Sequence, residues 1–208
     1  GGITISNLRF GDKKIRSHYE ENEANFIACH NQSYINKYDI LKGLKKNGTF
    51  VLNTIWTEEE LERKLSNKVK RYLAENNINF YVINAIEIAR QVGLGGRINM
   101  IMQSVFFKLA NIIEPEQAIK YLKEAVVTAY ERKGEKIVNM NFEAIDKALT
   151  AYRKIEVKEE WKTLQDENEK TKNYIPAFIK EFCEPINNLE GNSLKVSDFI
   201  KHGVEDGT

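Results

Sequence analysis

Short apolar runs separated by segments of helical spacing dominate the first half of the chain, and they limit its fold more than any other feature. The runs are NFIAC (residues 25–29), TFVLN (49–53) and INFYVIN (78–84). Continuous apolar runs of this length are typical of strands buried on both faces of a parallel sheet. Parallel strands need long crossover connections, and such crossovers are right-handed. The sequence therefore predicts an α/β fold, with a mostly parallel sheet in a three-layer α/β/α arrangement.

The connections between these runs contain the expected helices. The first helix, NKYDILKGLKK (36–46), should end at Asn47-Gly48. The second should begin at a capping box made by Thr57 and Glu60, because the two residues have the required spacing. Its apolar positions are Leu61, Leu65, Val69 and Leu73. Helices at these places would cover the sheet.

The glycine-rich stretch GLGGRINMIMQSVFF (93–107) allows two interpretations. A dinucleotide-binding loop needs its glycines directly after a strand and before a helix. Here the segment AIEIARQV, which has helical spacing, comes first, and position 98 is Ile instead of a third glycine. We therefore favour a corner between two helices, in which Gly93 ends the first helix.

Three polar residues, Arg97, Asn99 and Gln103, interrupt the apolar stretch that follows these glycines. A polar side chain within a buried helix must find a hydrogen-bond partner. A structural capping role is favoured for the three residues over a functional one. The apolar stripe of the same helix would face the core with Ile98, Ile101, Met102, Val105, Phe106 and Leu109.

The second half of the chain predicts two further helices and then an extended helical and irregular C-terminal segment. One helix should start at Pro115 and stop just before Gly134, and the next should cover NFEAIDKALTAYRKI (141–155). A charged linker with a weak helix, EEWKTLQ, should begin near residue 155. The tail after it shows no second core of its own, so it is expected to pack on a partner.

Charge and cysteine content exclude several classes of function. The 31 lysines and arginines balance 30 aspartates and glutamates, which gives no reason to expect a nucleic-acid partner. No apolar stretch approaches the roughly 18 to 20 residues of a membrane helix, and no signal peptide opens the chain. Cys29 and Cys183 are too far apart for a disulfide framework or a thiolate metal site. A cytoplasmic protein without a metal site is expected, and the start without methionine suggests an excised fragment.

Several motifs together resemble one known family, the pyruvate:ferredoxin (flavodoxin) oxidoreductases, across essentially all 208 residues. Each motif alone is weak, but they occur in the order of the family: GGITISNLRFG, ACHNQSY with YDIL, GTFVLNT, GLGGRINMIMQ followed by FFKLA, AIKYLKEAVVTAY with KGEKIV, and GNSLKVSDF. Two positions depart from the family pattern. Asn7 replaces a usual His, and Lys195 replaces a usual Pro. Asn7 cannot perform any protonation role that the histidine has.

The resemblance implies that the chain is part of an enzyme forming acetyl-CoA and carbon dioxide from pyruvate and coenzyme A, with ferredoxin or flavodoxin as electron acceptor. Residues 1–154 would be most of the gamma-type catalytic domain without its first β-α unit, and 155–208 a linker and the start of a small domain. Thiamine diphosphate, magnesium and [4Fe-4S] clusters would belong to other domains, so no cofactor is expected in this part. The full enzyme would be a homodimer, and the isolated part would be inactive.

The resemblance also places the gamma-type domain beside the coenzyme A path. The coenzyme A-facing candidates are Gly1, Gly2, Thr4, Ser6 and Arg9, with the glycines allowing close backbone approach. Alternation of apolar and polar residues over 3–6 predicts a strand with both hydroxyls on one face. A strand whose polar face meets only solvent is equally compatible with this pattern. No catalytic residue is assigned.

Two other functions remain open from the residues alone. A non-catalytic α/β binding or scaffolding domain has the same composition, and an independent nucleotide-binding domain would use the glycines at 93–96. The helix before Gly93 disfavours the nucleotide-binding domain. His18 and His30 have no carboxylate or thiol at catalytic spacing, so structural roles are favoured for both. Only the family resemblance selects the oxidoreductase.

Overall fold

A computed structural model describes residues 3–11, 13–16, 22–165, 176–188 and 190–202. The chain forms two compact units: Leu8–Gln165, and Gly1–Asn7 together with Asp166–Thr208. The larger unit contains the sheet, and the smaller unit is mostly helical where it is described. Within the described residues, none of the helices has the length and apolar character to cross a membrane.

The larger unit is built on a four-stranded mixed sheet with strand order β1-β2-β3-β4. The first three strands are parallel, and the last is antiparallel to β3. The strands are β1 (Ala24–Cys29), β2 (Leu44–Asn53), β3 (Asn79–Ile83) and β4 (Arg153–Ile155). The α/β fold and the parallel pairing of the three apolar runs are therefore confirmed.

Helices cover both faces of this sheet. They are α1 (Glu58–Lys64), α2 (Asn67–Glu75), α3 (Ala85–Gln91), α4 (Asn99–Ala110), α5 (Pro115–Tyr130) and α6 (Glu135–Ala151). Phe50 and Leu52 pack with residues of α1 and α2, whereas Val51 packs with residues of α3, α4 and α6. Helices α5 and α6 share a smaller cluster around Leu122. Alternate residues of β2 thus serve opposite faces, as the two-residue period of a strand requires.

The predicted helix over 36–46 is wrong. This connection contains only a 3₁₀ turn, Gln32–Tyr34, followed by further turns, and β2 already begins at Leu44. Asn47-Gly48 forms a bulge within the strand: the pairing passes from Ala24–Leu44 to Phe26–Thr49, and Asn47 has φ +62°. Asparagine tolerates the left-handed conformation better than other non-glycine residues, so the dipeptide bends a strand instead of ending a helix.

The helix after the capping box divides into two, and the box itself is confirmed. Thr57 Oγ1 accepts a hydrogen bond from the Glu60 amide at 3.2 Å, and a Glu60 carboxylate oxygen accepts one from the Thr57 amide at 3.1 Å. Helix α1 ends before Leu65, and Ser66 caps α2 by accepting from the Val69 amide. The predicted apolar positions along both helices are buried.

The glycine corner is also confirmed. Helix α3 ends at Gln91, Gly93 adopts φ +80°, and α4 begins at Asn99. The glycines therefore follow a helix, and the requirement for a phosphate loop directly after a strand is not met. Helix α5 starts at Pro115, and Gly134 lies just after the 3₁₀ turn that extends it, as expected.

The chain after α6 differs from the prediction. Helix α6 begins earlier than expected, at Glu135, and residues Arg153–Ile155 leave it to pair with β3. The next segment stays on the larger unit, because Trp161 is 2% exposed and Arg71 donates a 2.8 Å hydrogen bond to the carbonyl of Leu164. EEWKTLQ contains a 3₁₀ turn, Glu159–Thr163. The larger compact unit extends to Gln165. Its contacts with this segment join residues far apart in the sequence, so local sequence patterns do not reveal them.

The smaller unit has an aromatic cluster that was not expected. A helical stretch continues through a π turn, Ile179–Cys183, into α7 (Glu184–Asn187), and α8 (Val196–His202) follows. The Phe182 ring centroid lies 5.4 Å from that of Phe178 and 4.9 Å from that of Phe199. Because Phe182 is 4% exposed, this unit does bury an aromatic side chain.

The capping box leads to a first prediction, for Thr57→Ala. This change removes the oxygen that accepts from the Glu60 amide, so it should lower the free energy of unfolding by about 1 kcal/mol in a urea titration. Thr57→Ser keeps the oxygen and serves as the control. An equal loss in both variants would mean that the methyl group, and not the cap, stabilises the helix.

The same box should respond to pH. The pKa of the Glu60 carboxyl is lowered, mainly by its hydrogen bond from Lys64 and then by the Thr57 amide. A lowered folded pKa stabilises the protein above the pKa of the unfolded chain, and this contribution is lost as pH falls through the folded pKa. The stability difference between the wild type and Glu60→Gln, which removes the titrating group, should therefore shrink in urea titrations on acidification.

The bulge in β2 leads to a second prediction, for Gly48→Ala. A Cβ at this position would lie 2.7 Å from the Lys45 carbonyl oxygen and 2.8 Å from a Leu44 methyl group. The backbone contact cannot relax by a rotamer change, so we expect a loss of about 1–3 kcal/mol in thermal or urea unfolding. At Gly96 a Cβ meets nothing within 4 Å, so Gly96→Ala is the matched control. Similar stability of the two variants would contradict the packing argument.

Candidate functional site

The coenzyme A-facing candidates from the sequence do not form a strand. Gly1 and Gly2 lie outside the described residues. Thr4 and Ser6 are exposed in irregular backbone of the smaller unit, so the predicted strand over 3–6 is wrong. None of the described strands pairs with this backbone, and an unpaired segment gains no ladder hydrogen bonds.

Arg9 lies on the larger unit and is half-buried. The next residue, Phe10, holds this segment by an aromatic contact, since its ring centroid is 5.8 Å from that of Phe106. Phe106 also contacts Phe26 edge-to-face at 4.9 Å. The aromatic contacts therefore attach the backbone beside Arg9 to α4 and β1.

The polar residues after the glycine corner face solvent. Arg97, Asn99 and Gln103 are all exposed, and the N-cap residue of α4 is Ile98, whose side chain makes no capping hydrogen bond. The argument from a buried polar group therefore does not apply to them. The buried polar residue of this helix is Ser104, whose hydroxyl donates to the Met100 carbonyl at 2.6 Å.

A network of amide side chains joins the carboxyl ends of β1, β2 and β3. Asn53, at the end of β2, is 2% exposed. Its Nδ2 donates to the His30 carbonyl at 2.9 Å, and its Oδ1 accepts from the Ala85 amide at 2.9 Å. One side chain thus connects the residue after β1 with the first residue of α3. Both halves of this buried amide are satisfied, as burial of such a group requires.

Gln32 makes a second connection in this network. Its Oε1 accepts from the Thr54 hydroxyl at 2.6 Å and from the Ile55 amide at 3.0 Å. The same hydroxyl oxygen accepts from the Trp56 amide at 3.0 Å. These bonds fix the turn that leads from β2 into α1. These residues lie at or just beyond the carboxyl ends of the parallel strands. We therefore call the set His30, Gln32, Asn53, Thr54 and Asn84 the carboxyl rim.

The carboxyl rim is electrically neutral near neutral pH. Burial around its ring lowers the pKa of His30 and outweighs a hydrogen bond with the Ala28 backbone, although the residue keeps an exposed surface. Burial also raises the pKa of the Cys29 thiol, which donates to the Asn31 carbonyl at 3.1 Å. A neutral imidazole and a protonated thiol give the rim hydrogen-bonding capacity without a reactive thiolate.

A cleft of about 200 Å³ lies beside the rim, at the end of β3. Its walls include Thr54, Trp56, Asn84 and the exposed Arg153, whose guanidinium is 3.4 Å from a Glu58 carboxylate oxygen. Within the described ranges, no group of three or more His, Cys, Asp or Glu could hold a metal ion. The cleft thus brings hydroxyl, amide and guanidinium groups together beside the rim.

The sequence contained a signal for the rim that was not used. Polar residues lie at the carboxyl end of each predicted strand: His30 follows the first, Asn53 and Thr54 lie at the end of the second, and Asn84 is the last residue of the third. Ligands of open α/β sheets bind at the carboxyl ends of parallel strands. The predicted parallel order would have brought these residues together. The Thr4 and Ser6 hydroxyls, in contrast, are candidates only through the family resemblance.

Comparison with known proteins agrees with the fold and the motifs. A family model described as pyruvate ferredoxin/flavodoxin oxidoreductase matches residues 1–151. The pyruvate-flavodoxin oxidoreductase of Enterobacter agglomerans is 52% identical over 208 residues, which are 100% of this chain and 18% of that protein. The pyruvate:ferredoxin oxidoreductase of Moorella thermoacetica is 47% identical over 204 residues, which are 98% of this chain and 17% of that protein.

A solved structure shares the fold. Pyruvate oxidoreductase subunit PORC from Thermotoga maritima is similar with a TM-score of 0.51 at 15% sequence identity, over 65% of this chain and 67% of that chain. The present chain spans less than a fifth of the length of the two relatives compared above. It belongs to the pyruvate ferredoxin/flavodoxin oxidoreductase family.

Proposed function

We propose that this chain is part of an oxidoreductase that decarboxylates pyruvate oxidatively with coenzyme A. The products are acetyl-CoA and carbon dioxide, and the electrons pass to ferredoxin or flavodoxin. The observation that carries this proposal is the family match over residues 1–151, supported by identity of about half across the chain to a pyruvate-flavodoxin oxidoreductase. The other domains of a homodimeric enzyme would be its partners, in the cytoplasm.

The chemistry of bond breaking belongs to other parts of such an enzyme. Thiamine diphosphate, magnesium and [4Fe-4S] clusters are its cofactors. Clusters need several thiolates, whereas Cys29 is a buried thiol on the larger unit and Cys183 belongs to the smaller one. The described residues do not fit a metal or cluster site. The contribution of this chain is therefore to bind and position, and the isolated chain should be inactive.

The described residues support a role along the coenzyme A path. In the carboxyl rim, Asn53 and Thr54 are buried and already hydrogen-bonded, so the partly exposed amides of Gln32 and Asn84 are the groups that match the amides of the pantetheine arm of coenzyme A. The phosphates need cations, and Arg9 is a half-buried guanidinium beside the anchored Phe10. Lys13, Lys14 and Arg16 are exposed on the same segment. Guanidinium groups bind phosphate oxygens bidentately, so Arg9 is the strongest candidate for a phosphate contact.

We further propose that residues 1–154 form most of a gamma-type domain that lacks its first β-α unit. Strand β1 is at one end of the sheet, yet its residues Phe26 and Ile27 pack into clusters on opposite faces and are only half-buried. The opposite edge, β4, carries the exposed charges of Arg153 and Lys154, which are typical of a protected edge. One more strand beside β1 would complete the burial of Phe26 and Ile27. The small following domain would begin after Gln165, where the units separate.

A third prediction tests Arg9 in the complete enzyme. Arg9→Ala removes the charged group that would hold a phosphate of coenzyme A. The KM for coenzyme A should rise by about tenfold or more, which corresponds to roughly 1.5–3 kcal/mol for a charge-assisted bond. The pyruvate half-reaction, measured without coenzyme A, should change much less. Steady-state kinetics with varied coenzyme A measures the effect.

The matched control is Arg16→Ala, which removes the same charge from an exposed position on the same segment. Arg9→Lys keeps a charge but not the planar fork, so its KM should lie between those of the wild type and Arg9→Ala. Melting temperatures are measured on the same preparations. A lowered melting temperature with unchanged coenzyme A kinetics in Arg9→Ala would assign a structural role to Arg9 and reject the phosphate contact.

A further inference from the structure

We propose that Asn47 is a modification site at which the folded protein deamidates spontaneously through a cyclic imide formed with Gly48. The site lies on the bulge in β2, and the carboxyl rim lies beyond the other end of this strand. The inference does not depend on the proposed function. It rests on the exposure of Asn47, on the free state of its side chain, and on the glycine that the bulge requires.

The reaction is balanced without any co-reactant except water. The backbone nitrogen of Gly48 attacks Cγ of Asn47 after losing its proton, and the bond from Cγ to Nδ2 breaks, so ammonia leaves and a five-membered imide remains. Water then opens the imide at either carbonyl. Opening at Cγ produces aspartate. Opening at the main-chain carbonyl produces isoaspartate, in which the chain continues through the former side-chain carbon.

The Asn47 side chain is available for this reaction. The residue is exposed. Its backbone is held on both sides: its amide donates to the Asn76 carbonyl at 2.8 Å, and its carbonyl accepts from Asn79 Nδ2 at 3.2 Å. As far as the chain is described, the side-chain amide itself makes no hydrogen bond. The side-chain amide therefore has no hydrogen bond to a described residue that would have to break before the attack.

The glycine that follows cannot be replaced easily. A Cβ at residue 48 would lie 2.7 Å from the Lys45 carbonyl oxygen and 3.1 Å from the Asn25 carbonyl oxygen. Packing between β1 and β2 therefore selects glycine. Because Gly48 has no side chain, no atom of its own side chain crowds the attacking nitrogen. The bulge thus creates the reactive pair as a consequence of its own geometry.

Two other asparagines provide an internal comparison. Asn77 and Asn111 also have left-handed backbone, each with φ +49°, and both are exposed. They are followed by Ile78 and Ile112. A β-branched side chain crowds its own backbone nitrogen and restricts the approach of Cγ. The three sites share conformation and exposure and differ in the neighbour, so any difference in rate reports the effect of the glycine.

The modification should weaken the amino end of the sheet. Isoaspartate inserts an additional methylene group into the main chain of the bulge, and so displaces the two backbone hydrogen bonds to Asn76 and Asn79. Aspartate adds only a charge, beside Lys45 and Lys46. The variant Asn47→Asp therefore separates the effect of the charge from that of the longer backbone.

A fourth prediction tests this site by peptide mapping. The purified protein is incubated in mildly alkaline buffer, with circular dichroism confirming that it stays folded, and digested peptides are analysed by mass spectrometry and by isoaspartyl methyltransferase labelling. Acid at residue 47 should accumulate at least about tenfold faster than at residues 77 and 111, because glycine leaves the nitrogen accessible and isoleucine does not. The aged protein should melt below Asn47→Asp.

Three results would overturn the proposal. The first is modification at residue 47 no faster than at the two control asparagines. The second is modification at residue 47 only when the chain is unfolded in urea, since the claim concerns the folded bulge. The third is accumulation of the isoaspartyl label in Asn47→Gln at the rate of the wild type. Glutamine forms its six-membered imide far more slowly than asparagine forms the five-membered one, so label at that rate must come from another residue.

Discussion

The burial of β2 on both faces is the constraint on which the rest of the larger unit depends. Phe50, Val51 and Leu52 have no exposed surface, and they alternate between the two apolar layers. Each such side chain contributes about 1.5–3 kcal/mol when it leaves water. The stacked rings of Phe50 and Phe80, 5.5 Å apart, extend this core to β3. A strand buried in this way must be central and parallel to its neighbours, so its end determines where the polar residues meet.

The carboxyl rim follows from that arrangement. Parallel strands finish at the same edge, and the last residue of β2 is no longer an apolar side chain but the buried amide of Asn53. A buried amide destabilises the protein unless each half is paired. Here the partners are backbone groups of His30 and Ala85, one from each neighbouring connection. The same hydrogen bonds that make the burial tolerable also hold the edge rigid, which suits a surface that positions a ligand.

The chemistry of this edge agrees with a part of a larger enzyme. Its groups are neutral amides and hydroxyls, with a neutral His30 and a protonated Cys29 nearby. Arg9 supplies a cation on the same unit, and Phe10 holds its segment against Phe106. The two relatives compared above are several times longer than this chain.

Local patterns in the sequence determined the three buried strands, the capping box at Thr57, the glycine corner after Gln91 and the family, because each depends on neighbouring residues or on an ordered set of motifs. Tertiary structure alone decided four other features. Residues 36–46 do not form a helix, because the bulged strand β2 already pairs with β1 from Leu44 onward. Arg153–Ile155 do not continue helix α6, because they pair with the edge of β3. Thr4 and Ser6 pair with none of the described strands, whereas Gln32, Asn53 and Thr54 are joined by hydrogen bonds across distant parts of the chain. Contacts of that kind depend on which surfaces meet after the chain has folded, and no local window of residues contains them.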